Sequence, residues 1–482
     1  MPMLSRHLSL FLSLSLFLLF SGAPAAVDLI LLNCGAASNI TDISSRSWET
    51  DAETAYTPGN SAAKSAPAFT AFHMHPSVPD PVPYETARIF RSPFTYSFPI
   101  SPGHKFIRLY FYSDVYAGFN SSHSFFSVVV NGVTLLQNFN PFLDSPKSVP
   151  AFVKEFIFNV DGDRRIDLTF SPNSDSFAFI NGIEIVPLPV DGLYFKNRPI
   201  KFVPSHLYYL QDDTVLETLY RLNVGGADVQ IRDDSGMFRY WSQDDEYIYG
   251  EDVSFTPHDE GRNVQYTAGT PPCSAPETVY KTSRTMGNWS RSLEWAFPVD
   301  SGFYYLLRLH FCEIQLEVTH QNERVFTISV DNETAEYEAD VIFWTGGAGI
   351  PIFRDYIAGV PGDGRHGKKD LRLSLFPNNE GQPKYSNALL NGLEIFKLID
   401  SKESLATENT DSPAVNSSPA LVAEKKKIRR SPVTCVVVGS VIGAAALVVA
   451  MSFVVSLWRR KCAKKQICYQ VIKNDSSDSI TA

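Results

Sequence analysis

An all-β architecture of two tandem sandwiches, tethered by one transmembrane helix, is the fold that this sequence of 482 residues predicts. Three observations predict it. A series of motifs occurs twice in the same order. The stretches between turn residues alternate apolar and polar positions over strand lengths. One run, 433–457, carries no charge at all.

The first element is a targeting segment. Arg6 and His7 precede an apolar stretch at 8–20, and the small residues Ala23 and Ala25 follow. That order of charge, apolar run and small residues marks a secretory signal peptide, here 1–26, cleaved near Ala25 or Ala26. The mature chain is then expected to begin outside the cell.

The repeat comes next. LLNCG (31–35) returns as RLNVGG (221–226), and Trp48 with a following Asp returns as Trp241 with a following Asp. PYETAR (83–88) is echoed by VYKTSR (279–284), IRLYFY (107–112) by LRLHFC (307–312), and FINGIEIVPL (179–188) by LLNGLEIFKL (389–398). The offset grows along the chain, as it does when loops lengthen between fixed strands. Self-similarity at this scale means a duplicated unit, and about 400 residues exceed what one core serves.

Within each unit, IRLYFYSDV, FFSVVVNGV and RRIDLTFSP, and their partners LLRLHFCEI, VFTISVDNE and DLRLSLFPN, show the period of strands. Asn131-Gly132, Asn181-Gly182 and Asn391-Gly392 read as hairpin turns between them. Many short strands so punctuated predict β-sandwiches, at 27–190 and 217–399, joined by a connector at 191–216. LYYLQDDTVLETLY (207–220) is a linker candidate of helical length.

From 400 to 432 the chain is polar and proline-dotted, which suits a flexible stalk. The run 433–457 follows. At about 1.5 Å per residue it spans the roughly 30 Å hydrocarbon core of a bilayer. Basic clusters at 425–430 and 459–465 flank it on both sides and balance under the charge rule, so its direction rests on the signal peptide. A single-pass type I topology results, with a cytoplasmic tail at 458–482. Gly439 and Gly443 form a GxxxG within the run, a spacing that lets two helices approach closely.

The chain carries a formal net charge of −10, yet its basic residues crowd around the apolar run, so the outer part is more acidic still. Such a field repels nucleic acid and attracts basic peptides or cation-bridged polyanions. N-x-S/T acceptors stand at Asn39, Asn120, Asn288, Asn332 and Asn416, all on the expected outer side. Cys34, Cys273 and Cys312 lie outside, and within one unit only Cys273 and Cys312 can form a disulfide, with buried thiols as the alternative. Cys462 and Cys468, next to the apolar run, are candidates for S-palmitoylation.

Catalytic signatures are missing. GDGRHG (362–367) has the glycine spacing of a dinucleotide loop, but the strand-like KKDLRLSLF follows it where a helix is needed. The carboxylates of 244–247 and 258–260 read as loop residues rather than a hydrolytic pair. No cofactor and no metal is expected. Tyr112 and Tyr116 in the first unit, and Tyr240 and Tyr247 in the second, are candidate ligand-contact aromatics, against a bland reading as core.

LLNCGAASNITD, RSPFTYSFPISPGHKFIRLYFY, YRLNVGG, VDSGFYYLLRLHFCEI, RVFTISVDNETAEYEADV and LLNGLEIFKL together resemble the paired malectin-like domains of plant receptor-like kinases of the Catharanthus roseus type. The resemblance covers roughly 27–400. It implies jelly-roll-like sandwiches and a plasma-membrane location. Its implied partners are basic secreted peptides of the rapid alkalinisation factor type, a LORELEI-like GPI-anchored co-receptor and cell-wall pectin.

One departure stands out. Those receptors carry a Ser/Thr kinase after the membrane helix, whereas the 25 residues of 458–482 contain neither a glycine-rich loop nor HRD or DFG motifs. The expectation is a receptor-like protein, not an enzyme, acting as co-receptor or decoy. A truncated copy of a receptor kinase is the alternative, and an extracellular glycosidase a distant third.

Overall fold

The computed structural model describes residues 29–399, apart from residue 117 and segments within 53–79, 146–149, 161–163, 190–198, 250–261, 287–290 and 363–366. The signal-like segment, the stalk, the uncharged run and the tail lie outside the described residues. So do Asn288, Asn416, Cys462, Cys468 and the carboxylates of 258–260. Among the described residues no helix is long and apolar enough to cross a membrane.

Strands dominate, and the helices are single turns such as Pro141–Asp144, Glu277–Lys281 and Val341–Thr345. The duplication is visible in the topology. In the first unit Ala151–Val160, Gly103–Tyr112, Gly182–Pro187, Ile30–Asn33 and Ser47–Thr50 lie side by side in that order. In the second, Ile352–Val360, Phe303–Phe311, Gly392–Ile399, Val215–Asn223 and Ser242–Gln243 repeat it. A smaller sheet covers each: Val133–Phe139, Phe126–Val130, Arg165–Pro172 and Phe94–Pro99, repeated as Glu333–Ala339, Phe326–Val330, Lys368–Pro377 and Leu293–Asp300.

Several strands of the smaller sheets alternate. In Phe126–Val130 the residues Phe126, Val128 and Val130 face the core while those between are half-buried. The larger sheets are buried on both faces. Ile107, Leu109 and Phe111 point into the first core, and Phe106 points out against Leu193, Tyr194 and Phe195 of the connector. A sheet buried on both sides reads as a near-continuous apolar run, hence the density of IRLYFY and LLRLHF.

Two expectations change. Residues 207–220 are not helical: His206–Tyr208 and Val215–Asn223 are strands. Asn131-Gly132 is a hairpin turn, with φ of 45° and 87°, but Asn181-Gly182 and Asn391-Gly392 are not turns. Asn181 is buried between two strands, and its amide donates to the carbonyls of Tyr84 and Thr86 and accepts from the Tyr112 N–H. Gly182 follows because a Cβ there would stand 2.4 Å from Pro83. Asn391 and Gly392 repeat both roles, with Tyr280, Thr282, Cys312 and Val279 as neighbours.

The two units also share a sheet. Glu155, Phe156 and Ile157 pair antiparallel with Thr218, Glu217 and Leu216, so the edge strand of the first unit joins the second. Among the described residues this makes one sheet of 13 strands across both units.

Candidate ligand-binding groove at the junction of the units

The shared sheet forces charged side chains together. Arg108 and Glu184 face each other across Gly103–Tyr112 and Gly182–Pro187, and Arg108 reaches Glu155 from the next strand at 2.6 Å. Across the junction Arg221 binds Glu155 and Glu394, both at 2.8 Å. Arg46 extends the row to Glu184 at 3.0 Å, and His310 meets Glu394 at 3.2 Å. All are buried. Burial works to raise the Glu155 carboxyl, but Arg221 and Arg108 outweigh it and hold the group at about 2. The row fixes the two sandwiches relative to each other.

Beside it lies a groove of about 550 Å³. The first unit supplies the edge strand Val133–Phe139, the turn at Leu143 and Asp144, and Lys154. The second supplies Glu217, Asp300, Ser301, Phe303 and Lys397. Lys154 sits 3.2 Å from Glu217 and 3.7 Å from Asp144. Burial alone would lower its ammonium pKa, but those carboxylates raise it. Lys397 and Lys368 each stand 2.9 Å from Asp300. Burial would raise that carboxyl, and the two ammoniums bring it down to about 2. The Lys397 ammonium also lies 3.6 Å from the centre of the Phe303 ring.

Every charge in the groove therefore has a partner of opposite sign. The exposed polar side chains of Gln137 and Asn138 remain for a ligand, with apolar contact at Leu143, which is 68% exposed, while the Asn140 amide is taken up by the Ser122 carbonyl and the Phe142 N–H.

Few residues singled out from the sequence meet here. Tyr112 and Tyr116 are buried in the first unit, the latter donating to the Tyr112 carbonyl at 2.7 Å, which corrects their reading as ligand contacts. Tyr247 is wedged between Tyr220 and Phe297, with ring centres 5.1 and 5.4 Å away. Tyr240 is exposed and donates to Asp228 at 2.5 Å. None of the four lines the groove.

Of the two readings of Cys273 and Cys312, a bridge or buried thiols, the structure shows the second. Cys34, Cys273 and Cys312 are buried thiols. Cys273 packs with Tyr194 and Met237, and Cys312 with Trp241 and Tyr280 in a separate cluster. Apolar packing satisfies a thiol without oxidation. Asn39, Asn120 and Asn332 are exposed, as acceptors for glycan must be.

Asp244 is not a solvated loop residue. It is buried and takes hydrogen bonds from the Gly225 N–H, Arg284 and Trp295. Asp51 does the same for Gly35, Arg88 and Tyr96 in the first unit. Trp48 and Trp241 are fully buried and donate to Asp42 and Asp234, a scaffold role in both copies.

The groove lining was invisible as a motif. The buried charged row beside it has one signal, a comparison of the repeats: Leu31 of the first copy is Arg221 in the second, a charge where an apolar residue stood.

Comparison with known proteins agrees with this architecture. The malectin-like domain model matches residues 32–398. The receptor-like protein kinase FERONIA of Arabidopsis thaliana is 41% identical over 473 residues, covering 93% of this chain and 52% of the receptor. ANXUR2 of the same plant is 34% identical, covering 95% and 53%. The chain thus spans about half the length of the curated relatives it matches. Among solved structures, the FERONIA chain crystallised with the plant peptide RALF23 and LLG2 superposes with a TM-score of 0.71 at 41% identity, covering 80% of this chain and 98% of that one. The extracellular domain of ANXUR1 gives 0.70 at 34% identity, covering 78% and 97%. With this tandem of sandwiches and a family match along nearly all the described residues, the chain belongs to the malectin-like domain family, in the tandem form found in the FERONIA and ANXUR ectodomains.

Proposed function

We propose that this chain is a cell-surface receptor-like protein whose tandem ectodomain binds a secreted signalling peptide of the RALF type together with a GPI-anchored co-receptor. One observation carries the reading: the chain matches nearly the whole of a FERONIA ectodomain that was crystallised with RALF23 and LLG2. In this reading the protein sits in the plasma membrane through 433–457, with the sandwiches outside, and acts as co-receptor or decoy without catalysis of its own. Titrating RALF23 and LLG2 into the secreted segment 27–399 by calorimetry tests it. Saturable binding, strengthened by LLG2, is expected. Absence of heat under conditions where the FERONIA ectodomain responds overturns it.

The groove supports a second ligand. Its paired charges and the exposed Gln137 and Asn138 side chains suit a neutral, hydroxyl-rich chain, so wall carbohydrate is proposed to bind there and pectin only through its methyl-esterified stretches. Comparing esterified with de-esterified pectin fragments tests this, and preference for the fully charged fragment overturns it.

The half-length match favours one further reading, that the sequence is part of a full receptor Ser/Thr kinase. Sequencing the transcript through Ile467 and beyond separates the two: a kinase frame continuing past that point replaces the decoy.

A further inference from the structure

Two single turns of the first sandwich meet beside the junction groove. Ser121–His123 and Pro141–Asp144 pack on each other, and the Asn140 amide ties them by donating to the Ser122 carbonyl at 3.1 Å. Asn120, which forms an N-x-S acceptor with Ser122, caps the first turn. Its side-chain oxygen accepts from the Ser122 N–H at 3.0 Å and from the Ser122 hydroxyl at 2.9 Å. The amide nitrogen, the atom to which a glycan attaches, makes no hydrogen bond among the described residues, and Asn120 is exposed. The second turn carries Phe142, 53% exposed although its backbone N–H is held by Asn140 at 2.9 Å.

A lone apolar side chain on a surface needs no partner, but the second copy singles this one out. There Asn140 becomes Asp340, which caps Val341–Thr345 in the same way, and Leu143 becomes Phe343, equally exposed. Phe142 becomes Ile342, which is 6% exposed, and Asn120 becomes His320, so no acceptor stands at that place. The copy with the acceptor presents an aromatic ring on the adjoining turn, and the copy without it buries the position. The face of such a ring is electron-rich, and the C–H groups on the flat side of a pyranose carry the complementary partial charge. A sugar stacked there takes the ring out of water while its own hydroxyls stay solvated.

We propose that an N-linked glycan on Asn120 lies against Phe142, its first N-acetylglucosamine units stacked on the ring. Leu143, the next residue, lines the junction groove, so the glycan flanks the groove on the side of the first unit. The proposal rests on the cell-surface reading given above and adds the occupied acceptor and the surface that its sugar covers.

The test uses the full chain made in plant cells and held in mild detergent. Glycopeptide mapping reads occupancy, and hydroxyl-radical footprinting reads the exposure of Phe142, with Phe343 as the internal standard. Ser122→Ala destroys the acceptor but keeps the backbone N–H that Asn120 caps, and Ser122→Thr keeps both. Asn120 is expected to be occupied in wild type and in Ser122→Thr. Phe142 is expected to label several-fold faster in Ser122→Ala alone, with Phe343 unchanged. An occupied Asn120 with equal labelling of Phe142 in all three proteins overturns the contact. Faster labelling in Ser122→Thr with its glycan in place, or of Phe343 alongside Phe142, also overturns it, because the fold of the turn and not the sugar then sets the exposure. A bare Asn120 beside glycan at Asn39 or Asn332 overturns the assignment while the cell-surface reading stands. Glycan at no acceptor overturns both.

Discussion

Arg221 of the second sandwich donates to Glu155 of the first at 2.8 Å, with both side chains closed off from water. The first copy has Leu31 at the corresponding position, paired in register with Glu184 as Arg221 is with Glu394. Arg221 is therefore a feature of the junction, not of the repeated unit. Changing Arg221→Leu restores the residue of the first copy but strips a cation from two buried carboxylates. Removing one partner of a buried pair costs about 3–5 kcal/mol. Urea unfolding is expected to show that loss, with the single transition splitting in two as the sandwiches uncouple. A loss under about 1 kcal/mol would mean that the apolar contacts around Leu216 and Ile157 suffice to hold the junction.

The same row sets the response to acid. Glu155 in the folded chain is held at about 2, against an ordinary 4.5. Between those values the unfolded state binds the proton and the folded state does not, so stability falls as pH drops from about 5 towards 2. His310 acts in the same direction: burial, opposed by Glu394, lowers its pKa below the ordinary 6.5, and acid must charge it in a closed site. Melting temperature is expected to be level above pH 7 and to decline below it, steepening under pH 5. In Arg221→Leu the decline under pH 5 should be shallower, because Glu155 then has less ion pairing to lose. An identical slope in both proteins would remove the pair from the acid response.

Motifs and periods in the sequence carry the repeated scaffold, because whatever both copies need appears twice. Trp48 and Trp241, Asp51 and Asp244, and Arg88 and Arg284 recur with the same hydrogen-bond partners. The junction is a different matter. Glu155 and Arg221 lie 66 residues apart and meet only after two edge strands pair. No local spacing encodes such a contact, and only a difference between the copies hints at it. The same logic explains the tyrosines. Tyr112 sits in a strand buried on both faces, where period alone does not separate a ligand floor from a core, and Tyr116 is the inward residue of a two-residue strand too short to show a period.

The three outer cysteines test the packing directly. Burial pushes the Cys312 thiol up to about 12, with Glu313 adding to it. A neutral, enclosed thiol neither exchanges nor alkylates readily. Peptide mapping after iodoacetamide is expected to find Cys34, Cys273 and Cys312 unlabelled in the native protein and labelled after denaturation without reductant. A Cys273–Cys312 peptide pair recovered under non-reducing conditions would contradict the thiol assignment.

Asn391 and Gly392 show how one dipeptide serves two purposes. Asn131-Gly132 turns a hairpin, where both residues take positive φ. The Asn391 side chain instead ties three backbone segments, donating to the carbonyls of Tyr280 and Thr282 at 3.2 and 2.8 Å and accepting from the Cys312 N–H at 2.7 Å. Asn391→Ala leaves those buried groups unpaired, and each such group costs about 1–3 kcal/mol, so a loss of at least 3 kcal/mol is expected. Gly392→Ala places a methyl group 2.6 Å from Val279 Cγ1, an overpacking worth about 1–3 kcal/mol. At the turn, Asn131→Asp keeps a residue that tolerates positive φ and is expected to cost under about 1 kcal/mol. Equal losses at Asn131 and Asn391 in chemical denaturation would mean that both are turns after all, and that the buried amide does not clamp the strands around it.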